Sequence, residues 1–427
     1  MKRSLGFLYF LFVIYYVLMM ANGIVIEKGS PLVLGFNILF FGYMLFLNTF
    51  KNKYLPKFFI IYVFLMFVLV LILNTSSEYY ESLRLFAKYA IALLAFPAGF
   101  NLLRGGKAYK NLTRLSICFL VLFLINYAVS TIFHLGGSNV LYGAETSVET
   151  GNLFDEALYL NVCIMVLVPL FFVMKTCRKD VILILTVACI IVTIVCMKRM
   201  VILCIGISIL MYLLLTRMLN AKYGRLSNTF IGRMSLGQLF LAVVLVVAAG
   251  AMYWDTFQDQ LEARSNELNR SIDEETRFEE ITAIYDDIYN YESNDVVLLG
   301  KETFHTVGTY AGGQFGDRMI HTNFGIMLNG TGFIGLAFYI ILNLYFIWIF
   351  FRNLIWKTLA KDSQARHMFV VYLIFWLTYN IASFSGTIWL TIYPAFNFLV
   401  MGGILRFFRD KKYQALKKSP AYERQYA

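Results

Sequence analysis

Residues 255–322 open with DTFQDQLEARSNELNRSIDEETRFEE (255–280) and close with GGQFGDRMIHT (312–322), a long hydrophilic stretch in an otherwise apolar chain. The stretch holds 15 of the 26 acidic residues and only five basic ones, Arg264, Arg270, Arg277, Lys301 and Arg318. On both sides the sequence returns to apolar runs. Over the whole chain 59% of residues are hydrophobic and 15% charged, against roughly 25% charged in soluble domains.

The apolar residues come in runs of the length that crosses a bilayer as helix. Twelve are legible, at about 5–21, 31–50, 57–73, 82–103, 112–135, 158–174, 180–197, 199–219, 235–254, 323–351, 367–386 and 388–408. The fourth carries Arg84 and Lys88. Residues 5–21 follow Lys2 and Arg3 with no small-x-small cleavage site, which predicts an uncleaved first helix. The expected fold is therefore an all-α polytopic membrane protein. Residues 1–254 hold helices one to nine, 255–322 form one large, partly helical loop, and 323–427 hold helices ten to twelve and a basic tail.

The net charge of +11 is not spread evenly. Lys51, Lys53 and Lys57 fall in one connection, and Arg104, Lys107, Lys110 and Arg114 in the next of the same parity. Lys175, Arg178 and Lys179 follow, then Arg217, Lys222, Arg225 and Arg233, then Arg352, Lys357, Lys361 and Arg366, and finally the tail. Lys and Arg stay cytoplasmic because moving them across is unfavourable. Both termini are then expected inside and the 255–322 loop outside. This distribution points to membrane lipid as the partner of the basic tail and away from nucleic acid. The six cysteines lie in or beside apolar runs and form no disulfide framework or CxxC metal pattern.

Lys198-Arg199 violates the charge rule, sitting between runs seven and eight where cations should be scarce. Snorkelling to headgroups or pairing with a neighbouring loop would explain it; so would an anion site at the membrane face. Within the loop, Phe257, Leu261 and Leu268 share a helical face beside Arg264. The spacing predicts a second helix over 276–289, with Ile281, Ile284 and Ile288 as its stripe beside Phe278 and Tyr285. Ser271-x-x-Glu274 and Thr276-x-x-Glu279 each fit a capping box ahead of it. Arg264 and Arg277 then either turn inward with the apolar face or pair with carboxylates such as Glu267, Asp273 or Glu280, while the acidic back stays in water. His321 precedes a helix capped by Thr322 or Asn323; the helix dipole and Arg318 both disfavour imidazolium, leaving a neutral ring able to accept a proton. His134, His305 and His367 have weaker claims. Gly330-Thr-Gly332-Phe-Ile-Gly335 matches GxGxxG, but no strand precedes it, so its glycines read as close helix packing.

Together these residues resemble the O-antigen polymerase and O-antigen ligase superfamily of bacteria. The likeness rests on about twelve helices with a large loop between the ninth and tenth, and on His321-Thr-Asn323 followed by Gly332-Phe-Ile-Gly335. It also rests on Lys198-Arg199-Met200 opening the eighth helix and on Thr276-Arg277-Phe278-Glu279-Glu280-Ile281. The asparagine stands two residues after the histidine rather than beside it, as is common in ligases, which weighs towards the polymerase branch. The resemblance implies a metal-independent glycosyltransferase of the GT-C kind in the bacterial inner membrane, with no cofactor. Its donor would be a glycan on undecaprenyl diphosphate and its acceptor a sugar hydroxyl on a second lipid-linked unit, with a partner protein setting chain length. Arg199, Arg277 and Arg264 would bind the diphosphate, His321 would serve as base, and Lys198, Arg318 and Asn323 would support them. A ligase acting on lipid A core is the alternative within the class. A flippase is the alternative outside it, but helix-embedded charges are few and the loop is long.

Overall fold

The computed structural model describes residues 2–21, 31–51, 58–73, 79–103, 105–133, 138–141, 144–149, 159–172, 179–195, 199–223, 276–290, 294–300, 320, 322–354, 356–385 and 392–417. The expected ninth run at 235–254 and the expected helix at 257–268 lie outside them. So do Lys198, Arg264, Arg318 and His321.

Among the described residues eight apolar helices precede the loop: α1 (Lys2–Ala21), α2 (Pro31–Lys51), α3 (Phe58–Leu73), α4 (Tyr79–Leu102), α5 (Gly105–Ile132), α6 (Tyr159–Phe171), α7 (Lys179–Val195) and α8 (Arg199–Tyr223). A short antiparallel hairpin, β1 (Ser138–Leu141) with β2 (Ala144–Glu149), joins α5 to α6, an exception to the expected all-helical fold. After it come α9 (Thr276–Tyr289), α10 (Asn294–Leu299), α11 (Asn323–Asn353), α12 (Trp356–Lys361), α13 (Ser363–Ser385) and α14 (Tyr393–Lys417). Among the described residues five helices are long and apolar enough to cross a membrane, and four shorter apolar ones accompany them. The chain is a helical membrane protein.

The core forms where glycines let backbones touch. Helix α4 is buried on all sides and packs along α14. A Cβ at Gly99 would collide with the Leu399 carbonyl, and one at Gly402 with the Phe96 carbonyl. Without a hydrophobic gradient between helix and lipid, such close approach is what holds two helices together. Phe96, Phe346 and Phe398 fill the space beside this contact.

Backbone groups freed by proline or by helix ends find side-chain partners, as an apolar surround demands. Pro169 has no N–H to offer the Met165 carbonyl, and the Ser116 hydroxyl donates to it instead at 2.7 Å. At the end of α6, the Phe171 carbonyl accepts from His367 Nε2 at 2.8 Å, and the Phe172 carbonyl from Thr113 at 3.0 Å. Tyr212 lies 3.2 Å from His367 Nδ1. His367 thus binds three helices together.

A polar knot closes the end where α13 begins. Asp362 Oδ1 accepts from the N–H groups of Gln364 and Ala365 at 2.8 and 3.3 Å. Its other oxygen meets Lys411 at 2.9 Å. Buried Arg366 donates to the carbonyls of Leu359 and Ala360, and Lys412 to that of Arg352. Burial alone would raise the Asp362 carboxyl, but the Lys411 hydrogen bond and the two N–H donors outweigh it and hold it below the usual carboxylate range. The carboxylate therefore stabilises the fold above the ordinary carboxylate range, and that contribution is lost as pH falls through the lowered folded-state value. Asp362→Ala should cost about 1 kcal/mol at neutral pH, the usual worth of a helix cap. Thermal melting of the detergent-solubilised chain checks it, and the difference from wild type should shrink in acid.

Candidate functional site at the start of the tenth run

The tenth run does not form one rod. Its glycine at 332 has φ 58° and ψ −162°, a conformation essentially closed to residues with a Cβ. Residues 323–331 form a half-helix, and residues 333–353 form the arm long enough to cross. The two lie side by side: Phe324, near the start of the half-helix, sits edge-on to Tyr339 in the arm with ring centroids 5.1 Å apart. A Cβ at Gly335 would collide with Thr331, so the missing side chain admits the second leg of the turn. Gly300, at the end of α10, packs against the backbone of residues 330–332, and Leu298 backs onto Gly332. Of the glycines in the GxGxxG match, Gly330 and Gly332 meet the α10 backbone, Gly332 also turns the chain, and Gly335 leaves room for Thr331.

This reversal carries the start of the half-helix to the end of the bundle where α13 stops. Asn323 Nδ2 donates to Ser383 at 3.2 Å, and Phe324 lies against Phe384. Thr322 is the cap: its hydroxyl accepts from the Gly325 N–H at 2.9 Å. Ile320, Thr322 and Asn323 are all fully buried. A layer of hydroxyls and amides lies beside them. Tyr339 and Tyr379 share a hydrogen bond of 3.1 Å, and Tyr339 is within hydrogen-bonding reach of Asn323, Ser383 and Asn343. Tyr62 and Tyr89 form a second pair at 2.9 Å.

Two other helix starts reach the same end. Helix α8 runs antiparallel to α13, with Ser208 bonded to Thr378 and Tyr212 to His367. Position 199, the first of α8, therefore lies level with the last turn of α13. Helix α9 covers the expected range, 276–289. Ile284 and Ile288 are fully buried, and Ile284 Cδ1 lies 3.3 Å from the place a Cβ on Gly325 would take. Tyr285 meets Phe333 edge-on, and the chain then passes through α10 onto the Gly332 turn. Helix α9 thus climbs from the start of the half-helix towards the turn. Position 277 is on the face of Ile284 and Ile288, roughly 10 Å nearer the start of α9 than Ile284.

The sequence reading of α9 needs one correction. Its acidic back was expected in water, yet Glu280 is fully buried while Glu279, Asp286 and neighbouring Asn290 are exposed. Glu280 lies one turn before Ile284 and so on the packed side of the helix. It is partnered, as a buried carboxylate must be. The helical period, counted from Ile284, was the signal that could have found it. Among the described residues no three of His, Cys, Asp and Glu gather as metal ligands do. No family model matches this chain, and no curated protein matches it.

Gly332→Ala should strain the turn by about 1–3 kcal/mol and push against Leu298, lowering the melting temperature and exposing the α9–α10 segment to protease. Glu280→Leu should also destabilise, by about 1–3 kcal/mol, because it strands the partner of a buried carboxylate. Glu280→Gln, which keeps the shape and half of the hydrogen-bonding capacity, should restore most of that loss in the same melting assay.

Proposed function

We propose that this chain is a membrane glycosyltransferase of the bacterial inner membrane that polymerises lipid-linked oligosaccharide repeat units at the outer face. One observation carries the reading: the half-helix start at 323 is folded back to the end of the bundle where α13 stops, the end towards which α8 begins, and α9 packs on that half-helix through Ile284. Those three places carry Arg199, Arg277 and the His321-Thr322-Asn323 sequence. Far apart in the chain, they are the positions on which the resemblance to O-antigen polymerases rests.

The chemistry asks for such a convergence. An acceptor hydroxyl attacks the anomeric carbon of the donor sugar, and the bond from that carbon to the diphosphate oxygen breaks. The electron pair leaves with the diphosphate, whose charge grows. Guanidinium groups meet that charge with bidentate, charge-assisted hydrogen bonds, the role assigned to Arg199, Arg277 and Arg264, with Lys198 and Arg318 adding positive potential. His321 takes the proton of the attacking hydroxyl. Preorganised donors in a water-poor site contribute several kcal/mol to such a step. In the expected twelve-span topology, with both termini cytoplasmic and the 255–322 loop outside, this end of the bundle would face the side where lipid-linked units are exposed. A chain-length-setting protein would bind alongside.

Single replacements Arg199→Ala, Arg277→Ala and His321→Ala should each abolish the ladder of surface glycan on a gel, or cut it to single repeats, with normal amounts of protein in the membrane. Unchanged ladders in all three would end this reading. A deletion strain that leaves the terminal acceptor wholly unglycosylated, rather than carrying one repeat, would identify a ligase instead.

A further inference from the structure

Helices α6 and α8 lie against each other with their residues in step. Phe171 of α6 stacks on Tyr212 of α8, with ring centroids 4.7 Å apart. His367 ties the same two positions together, through the Phe171 carbonyl and the Tyr212 hydroxyl. Eight residues earlier in each helix stand Cys163 and Cys204. Eight residues make a little over two helical turns, so the seam that joins Phe171 to Tyr212 also brings the two thiols face to face. They are within hydrogen-bonding reach of each other, and buried Tyr393 of α14 lies close to both. Two pairs at equal spacing mean that α6 and α8 run parallel and in register.

Both cysteines are free thiols, and each is 1% exposed. The other described cysteines are placed differently. Cys118 is exposed, and Cys189 donates to the Leu120 carbonyl at 3.9 Å. A disulfide needs Cα atoms within about 7 Å, a separation that helices roughly 8–10 Å apart reach at facing positions. Access comes from the far side of α8, which packs on one face only. Leu203 and Leu210 on that side are half-exposed, and Gly206 has open space where a Cβ would stand. A small apolar reagent dissolved among lipid chains therefore has one helix between it and the thiols.

We propose that Cys163 and Cys204 are a covalent modification site, a dithiol that a small organic disulfide oxidises to a bond between α6 and α8. One cysteine, as thiolate, displaces a thiol from the reagent and forms a mixed disulfide. The other cysteine then attacks the sulfur of the first and releases the second half of the reagent. Two cysteine S–H bonds and the reagent S–S bond break; one S–S bond forms in the chain. Both protons and both electrons leave on two reagent thiols. The bond fixes α8 against α6 just below its first residue, Arg199. It forms whether or not the chain transfers sugars, so it stands apart from the polymerase reading.

Full-length chain in detergent is treated with limiting 4,4′-dipyridyl disulfide, then denatured, alkylated and mapped by peptide mass spectrometry. The peptides carrying Cys163 and Cys204 should be joined, with two pyridinethiones released per link. Closing a loop of about 40 residues restricts the unfolded chain, so the linked form should melt at a higher temperature, and dithiothreitol should reverse the shift. Cys204→Ala should lose both the link and the shift. Combining Cys204→Ala with Ile205→Cys moves the thiol by one position, about 100° around α8, and should lose them too. The mapping is made on the wild-type chain, so a variant that fails to fold leaves its result standing. The proposal is overturned if Cys163 and Cys204 stay unlinked while Cys118 reacts, or if either pairs with another cysteine. It is overturned equally if the displaced thiol at 205 links as readily as the native one.

Discussion

A single backbone conformation governs how this end of the molecule is built. At residue 332 the chain must take a positive φ with an extended ψ, and only glycine does so without strain. A residue with a Cβ there would strain the turn that folds residues 323–331 back on the arm. With the turn, the half-helix lies back along its own arm and Asn323 comes to rest on Ser383. Gly300 and Gly335 complete the fold-back by removing side chains where α10 and the second leg approach. Helix α9 then has a surface to pack on, and Ile284 and Ile288 bury themselves there.

The rest of the bundle is ordered around a different constraint, the need to satisfy every backbone group in an apolar setting. Ser116 replaces the donor that Pro169 lacks, and His367 and Thr113 cap the end of α6. Asp362, Arg366 and Lys412 tie up the start of α13 and the ends of α11 and α12.

Much of the secondary structure could be read in advance. The expected runs at 5–21, 31–50, 57–73 and 82–103 correspond to α1 through α4, and the predicted helix at 276–289 to α9. These elements are legible because unbroken apolar length and a 3.6-residue period are properties of consecutive residues. The reversal at Gly332 was not legible. A glycine inside an apolar run reads equally well as a packing residue, and only the neighbouring backbones of α10 decide that it turns. Burial of Glu280 was missed for a related reason. Acidic neighbours on both sides suggested a solvated face, whereas the side of α9 that is packed depends on the hairpin it meets.

Sequence by itself determined that this is a helical membrane protein. It also determined where most helices begin and end and which residues, Arg199, Arg277 and Asn323 among them, sit at helix starts. Those features follow from local composition and hydrogen bonding within single segments. Tertiary structure decided that the half-helix folds back on its own arm and brings Asn323 to the end of α13. It decided as well that the Glu280 carboxylate of α9 is buried. Such features depend on contacts between segments as far as 170 residues apart, and on a backbone angle that one glycine permits but does not compel.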